Sequence, residues 1–131
     1  MPFKCKICEE TPNSHSFDMI EKIDDLSIFY SCPGDIVNED PSSIISHYKD
    51  TLDEYMGEKW TWIIDSKNYK LKKALHTNSA TKIARLISRD EYINKLQEII
   101  IVKQNTEFKT IIALVWLFLS NNLKEKIKFE Y

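Results

Sequence analysis

The chain has 131 residues, 43% of them hydrophobic and 29% charged, which fits one globular domain with a core of its own. With only two glycines, it cannot build a nucleotide loop that needs several. The net charge of −2 hides a split: residues 1–58 sum to −9 and residues 59–131 to +7. A polarised chain of this kind suits an anionic partner on one face, or simply a charge-complementary fold with a solvated face.

Residues 1–20 read as an N-terminal arm and residues 21–131 as the single folded domain. The opening stretch, Met1 to Cys8, is charged and no apolar run of signal-peptide type follows it. Three cysteines make no disulfide framework, and a reducing cytoplasmic setting is expected, peripheral to membranes at most. Cys5-x-x-Cys8 has metal-type spacing, and His15 and Cys32 would complete four zinc donors. The second half of that set is split and irregular, so the pair alone carries the signal. No other cofactor is required by the sequence, apart from a bound lipid considered below.

Leu26 to Ser31 is a β-rich run closed by the turn cluster Cys32-Pro33-Gly34-Asp35. Asp40-Pro41 starts a helix, with an acid at the N-cap and proline at the first helical position. Ile44, Ile45, Tyr48, Leu52, Tyr55 and Met56 form its apolar face, and Gly57 ends it. Lys59 to Asp65 is the next strand, with Trp60, Trp62 and Ile64 on one face. Asp65 stands at its C-terminal end, where open α/β sheets hold ligands; a turn or cap role is the simpler reading for a lone acid. Ser66 to Thr77 is a basic loop, and Asn78 or Ser79 is expected to cap the following helix, with Ile83, Ala84, Leu86 and Ile87 facing in. His76 has no catalytic partners near it in sequence and reads as a surface histidine. Asp90 is expected to cap one more short helix.

Gln97 to Lys103 has the look of a buried parallel strand. Phe108 to Leu119 is the most apolar run in the protein, followed by a polar break and a half-buried strand over Lys124 to Tyr131. The apolar run is far shorter than the ~20 residues that span a bilayer. Strand–helix alternation of this kind gives an α/β layered domain, a mostly parallel sheet of four to five strands with helices on its faces.

From about Leu26 onward the chain resembles the CRAL-TRIO (Sec14-like) lipid-binding family, as a minimal and divergent member. Trp60-Thr61-Trp62-Ile63-Ile64-Asp65 followed by Ser66-Lys67-Asn68-Tyr69 looks like the family's apolar strand ending in Asp and a glycine turn, with Asn68 in the glycine's place. Leu96 to Lys103 and then Phe108 look like the strand leading to the ligand pocket. Ile112 to Leu119 with the segment Ser120 to Ile127 looks like the gate helix, turn and strand. Lys103-Gln104-Asn105 stands where the family has Asn-x-Pro.

The resemblance implies a non-catalytic lipid-binding module, with an apolar pocket under residues 108–119. Phe108, Ile112, Val115, Trp116, Phe118 and Leu119 are its expected lining. Lys67, Lys70, Lys72, Lys73, Lys82 and Arg85 are the expected anionic-headgroup or membrane-facing surface. The alternative is a protein-interaction adaptor of the same fold with a filled pocket, its partner for example a small GTPase. An apolar helix buried on both sides as core is the plainest account of 108–119. Enzyme chemistry is not expected: the sequence holds no nucleophile elbow, paired carboxylates or phosphate loop. Nucleic acid is not expected either, given a pI near 5.9 and no recognised motif.

Overall fold

The computed structural model describes residues 6–10, 15–35, 40–67, 69–70, 75–103 and 106–130. Cys5, Asn68, Lys72 and Lys73 lie outside the described residues, as does the side chain of His76.

A short helix α1 (Lys6–Glu10) precedes a hairpin of β1 (Asp18–Ile23) and β2 (Leu26–Ser31). Then follow α2 (Pro41–Tyr55), β3 (Lys59–Asp65), α3 (Leu75–Ile87), α4 (Asp90–Ile93) and β4 (Leu96–Val102). The chain continues through α5 (Thr106–Trp116) and α6 (Asn121–Lys126) to β5 (Ile127–Phe129).

Local chemistry sets several boundaries. The Asp40 carboxylate accepts the Ser42 N–H, Pro41 opens α2, and Gly57 takes φ +65° just beyond its end, the left-handed position that favours glycine. Three boundaries differ from expectation. Helix α3 begins at Leu75, ahead of Asn78 and Ser79. Arg89, and not Asp90, occupies the cap position of α4, with no side-chain capping bond. The polar break after Leu119 is itself helical: Ser120 Oγ accepts the Leu123 N–H and so starts α6. The last strand is correspondingly short.

The five strands lie in the order β1-β2-β3-β4-β5. Only β1 runs antiparallel to its neighbour; the pairs β2–β3, β3–β4 and β4–β5 are parallel. Because β2 to β5 succeed one another without reversal, crossovers of one hand carry their helices to one side of the sheet. The expected mostly parallel sheet of four to five strands flanked by helices is the one observed. Register places Phe29, Trp60, Trp62, Ile64, Ile99 and Ile101 on one shared face. All six are buried, in one cluster with Ile44 and Leu52 of α2, Ile87 of α3 and Ile111 and Val115 of α5. On the opposite face Ile28, Tyr30, Ile63, Ile100 and Val102 are only half-buried.

The arm is not peripheral. Phe17, just before β1, is 0% exposed. Its ring stacks on Phe29 at 4.9 Å and on Tyr48 at 4.3 Å, and meets Trp62 edge-on at 5.5 Å. Strand β1, unread in the sequence, adds the antiparallel edge. Replacing Phe17 with Ala should cost about 3–5 kcal/mol, as for other fully buried aromatics. Urea unfolding followed by tryptophan fluorescence should show a lower midpoint with an unchanged slope.

Candidate functional site

The sheet's buried face is densely aromatic at the β1–β3 end and aliphatic at β4. Between them lies an apolar pocket of about 170 Å³. Its floor is Trp62 and Ile64 of β3 with Ile99 and Ile101 of β4. Ile44 and Tyr48 of α2 form one wall, and Ile83, Ala84 and Ile87 of α3 form another. Helix α5 supplies Phe108, Ile111, Ile112 and Val115, and Leu119 follows in the turn beyond. The few polar contributors are His15, Ser16, Ser79 and the hydroxyl-bearing rings of Tyr48 and Tyr69. Burial pushes both tyrosines up to about 12, so each stays a neutral phenol.

Of the six expected lining residues, Phe108, Ile112, Val115 and Leu119 line the pocket. Trp116 and Phe118 do not. Helical spacing explains this: Phe108, Ile111 and Val115 recur at three and four residues, so position 116 is rotated off their face. The Trp116 ring packs on Phe129 of β5 at 6.5 Å, with Lys124 Nζ 5.7 Å from its centroid. Phe118 points outward and is 62% exposed, beside Leu117 at 82% and Leu114 at 49%. Thus α5 and its following turn are apolar on the inside and on the outside. The plain core-helix account explains only the inner half.

The expected basic surface is dispersed over two elements. Lys67 and Lys70 follow β3, and both are exposed; Lys70 Nζ stands 3.9 Å from a Glu107 carboxylate oxygen. On α3, Lys82 is half-buried and Arg85 exposed.

Asp65 ends β3 with its carboxylate buried and fully engaged. One oxygen accepts the Lys67 backbone N–H at 3.0 Å, closing the turn, and the other accepts the Tyr30 hydroxyl at 2.8 Å. Lys103 Nζ is 3.8 Å from the second oxygen. Burial alone would raise this carboxyl, but the two hydrogen bonds and the Lys103 and Lys67 charges outweigh it and hold Asp65 below the usual carboxylate range. The neighbouring Ser66 hydroxyl donates to the Lys103 carbonyl at 2.7 Å. Lys103 itself takes φ +52°, a left-handed conformation unfavourable to a side chain, and these bonds hold it there.

Of the expected zinc donors, Cys5 lies outside the described residues. Cys32 is buried, its thiol directed at the Lys67 carbonyl 3.9 Å away and its N–H bonded to Ser16. Cys8 and His15 do come together, at 3.4 Å between Sγ and Nδ1. Beside them lies His47 of α2, absent from the sequence reading. Its signal was there to be read: three residues after Ile44 and one before Tyr48, it falls on the apolar face of α2. Burial first, and the adjacent His47 second, push His15 down to about 4.

A lowered carboxyl stabilises the fold above its unfolded pKa of ~3.9 and loses that contribution as pH falls through the lower folded value. Asp65→Asn should therefore lower the urea midpoint at pH 7. The gap from the unaltered protein should narrow at pH 3 and below, which paired unfolding curves will show.

No helix among the described residues is long and apolar enough to cross a membrane. No curated protein sequence matches the chain. Among solved structures, the crystal structure of Sfh5 is similar, with a TM-score of 0.68 at 14% identity; the match covers 92% of this chain and 50% of that one. At that identity the likeness shows a shared fold, and this chain spans only half the length of its neighbour. A family model for the CRAL/TRIO domain matches residues 43–131, well over half of the sequence. The chain belongs to the CRAL/TRIO family of lipid-binding domains.

Proposed function

We propose that this domain binds a single apolar chain of a lipid in the pocket beneath α5, without catalysis, and takes it up at a membrane surface. The observation that carries this reading is the double-sided character of α5 and its turn. Inward, Phe108, Ile111 and Val115 close an apolar pocket; outward, Leu114, Leu117 and Phe118 face solvent. A helix that exposes these side chains while roofing a pocket suits the bilayer interface, where the outer face is buried as the helix moves.

The pocket of about 170 Å³ is smaller than the ~300–1,000 Å³ usual for ligand sites. Uptake then requires α5 to move outward. Each CH₂ buried supplies about 0.8 kcal/mol toward that movement. The small volume also favours, as a second reading, a protein adaptor with a nearly filled pocket. Under that reading Leu114, Leu117 and Phe118 would meet a partner protein, for example a small GTPase. Basic residues Lys67, Lys70, Lys82 and Arg85 are assigned to an anionic headgroup or leaflet, at about 1 kcal/mol each near a surface.

Native mass spectrometry of the protein incubated with mixed phospholipids and fatty acids tests the pocket. One adduct of lipid mass per chain is expected. Val115→Trp should abolish it by filling the space, whereas Trp116→Ala should leave it intact, since Trp116 lies outside the pocket. Leu117→Asp with Phe118→Asp should weaken binding to anionic vesicles at least tenfold, with the fold intact, because each exposed side chain gives up about 1.5–3 kcal/mol of burial. A bare mass in every lipid mixture would sink the lipid reading and leave the adaptor.

A further inference from the structure

A second cluster of side chains lies on the N-terminal side of α2, sharing only His15 with the pocket lining. Cys8 comes from α1, His15 from the segment before β1, and His47 from α2. One donor atom from each lies within 4.8 Å of the other two. Both imidazoles are buried and Cys8 is half-buried. The Cys8 Sγ to His15 Nδ1 separation is 3.4 Å. Tetrahedral zinc, with Zn–S near ~2.3 Å and Zn–N near ~2.0 Å, sets neighbouring S and N ligands roughly 3.5 Å apart. That edge of the polyhedron is already formed, and a small side-chain rotation closes the remainder.

The second layer fits as well. His47 Nε2 lies 2.8 Å from the Phe17 carbonyl, which can only accept, so Nε2 carries the proton and Nδ1 the lone pair. His15 Nε2 lies 2.8 Å from Ser43 Oγ; donation there leaves Nδ1, the nitrogen facing Cys8, as the lone-pair atom. Oxygen-tethered imidazoles of this kind are how metal-ligating histidines are oriented.

We propose that Cys8, His15 and His47 bind a divalent cation of the zinc class, clasping α1 and His15 onto α2. On binding, the Cys8 thiol gives one proton to solvent. The thiolate and two neutral imidazoles then hold the ion with a net charge of +1, and water fills the fourth position.

The test uses the full chain, reduced and stripped with a chelator, then titrated with cobalt(II). One cobalt per chain is expected, with a thiolate-to-metal charge-transfer band and visible bands of tetrahedral strength that zinc abolishes. Cys8→Ser should remove the charge-transfer band. His47→Gln, whose amide can still donate to the Phe17 carbonyl, should weaken binding at least tenfold while near-ultraviolet dichroism of the metal-free protein stays unchanged. Should His47→Gln fail to fold, the half-exposed Cys8→Ser decides alone. Absence of cobalt uptake, or a charge-transfer band that survives Cys8→Ser, would overturn the proposal. Loss of lipid binding in the pocket variants would leave it untouched.

Discussion

Burying the Trp62 indole forces the arrangement of everything around it. An indole N–H taken from water needs an acceptor, and here it donates to Ser31 Oγ on the adjacent strand at 2.8 Å. That bond spans β2 and β3 on the helical side of the sheet and fixes the ring's plane. Phe17 and Tyr48 then meet it edge-on at 5.5 and 5.7 Å. Trp60 repeats the device one pleat away, its N–H donating to the Tyr92 carbonyl of α4 at 2.9 Å. The two tryptophans thereby tie β3 to both of its flanks.

Trp62 also divides the core. On one side, stacked aromatics pack the space under α2. On the other, the ring forms part of the pocket floor. Beyond it β4 offers Ile99 and Ile101, and α5 offers Ile111, Ile112 and Val115 beside the single ring of Phe108. The pocket follows from this change from aromatic to aliphatic along one face. Because α2, α3 and α5 pack on the same face of the sheet, that difference is concentrated in one layer.

Legibility in the sequence followed the strength of local chemistry. Lys59–Asp65 reads directly, because two tryptophans alternate with smaller residues between clear turn signals. The ends of α2 read directly too, through Asp40, Pro41 and Gly57. Strand β1 did not: Asp18–Ile23 is an edge strand with three charged residues and most positions exposed, so it carries little apolar alternation. Helix α6 was hidden because Asn121-Asn122 resembles a turn, although Ser120 and Leu123 hold the capping pattern. The pocket residues were legible as a run but not as a face. Taking 108–119 as one apolar block counted Trp116 and Phe118 with the lining, whereas helical phase sends them elsewhere. His47 was missed for the opposite reason, since a polar residue inside an apolar face was passed over although its partners sit about thirty residues away in the arm.

A pocket without contents carries a cost. For an enclosed void of this size, the mutational scale of ~24 cal/mol per Å³ gives on the order of 4 kcal/mol. A partly open pocket loses stability instead by wetting its apolar walls. Either penalty is a sizeable share of the ~5–15 kcal/mol by which a domain is stable. Enlarging Ile or Val side chains around it would reduce it, and packing of that kind is easy to reach. About five buried CH₂ groups would return the same 4 kcal/mol. Leu117 and Phe118 add to the burden, because their exposure forgoes burial that an ordinary core helix would gain. Both costs fall on the same helix, and burial of an acyl chain beneath it with a bilayer above it would offset both.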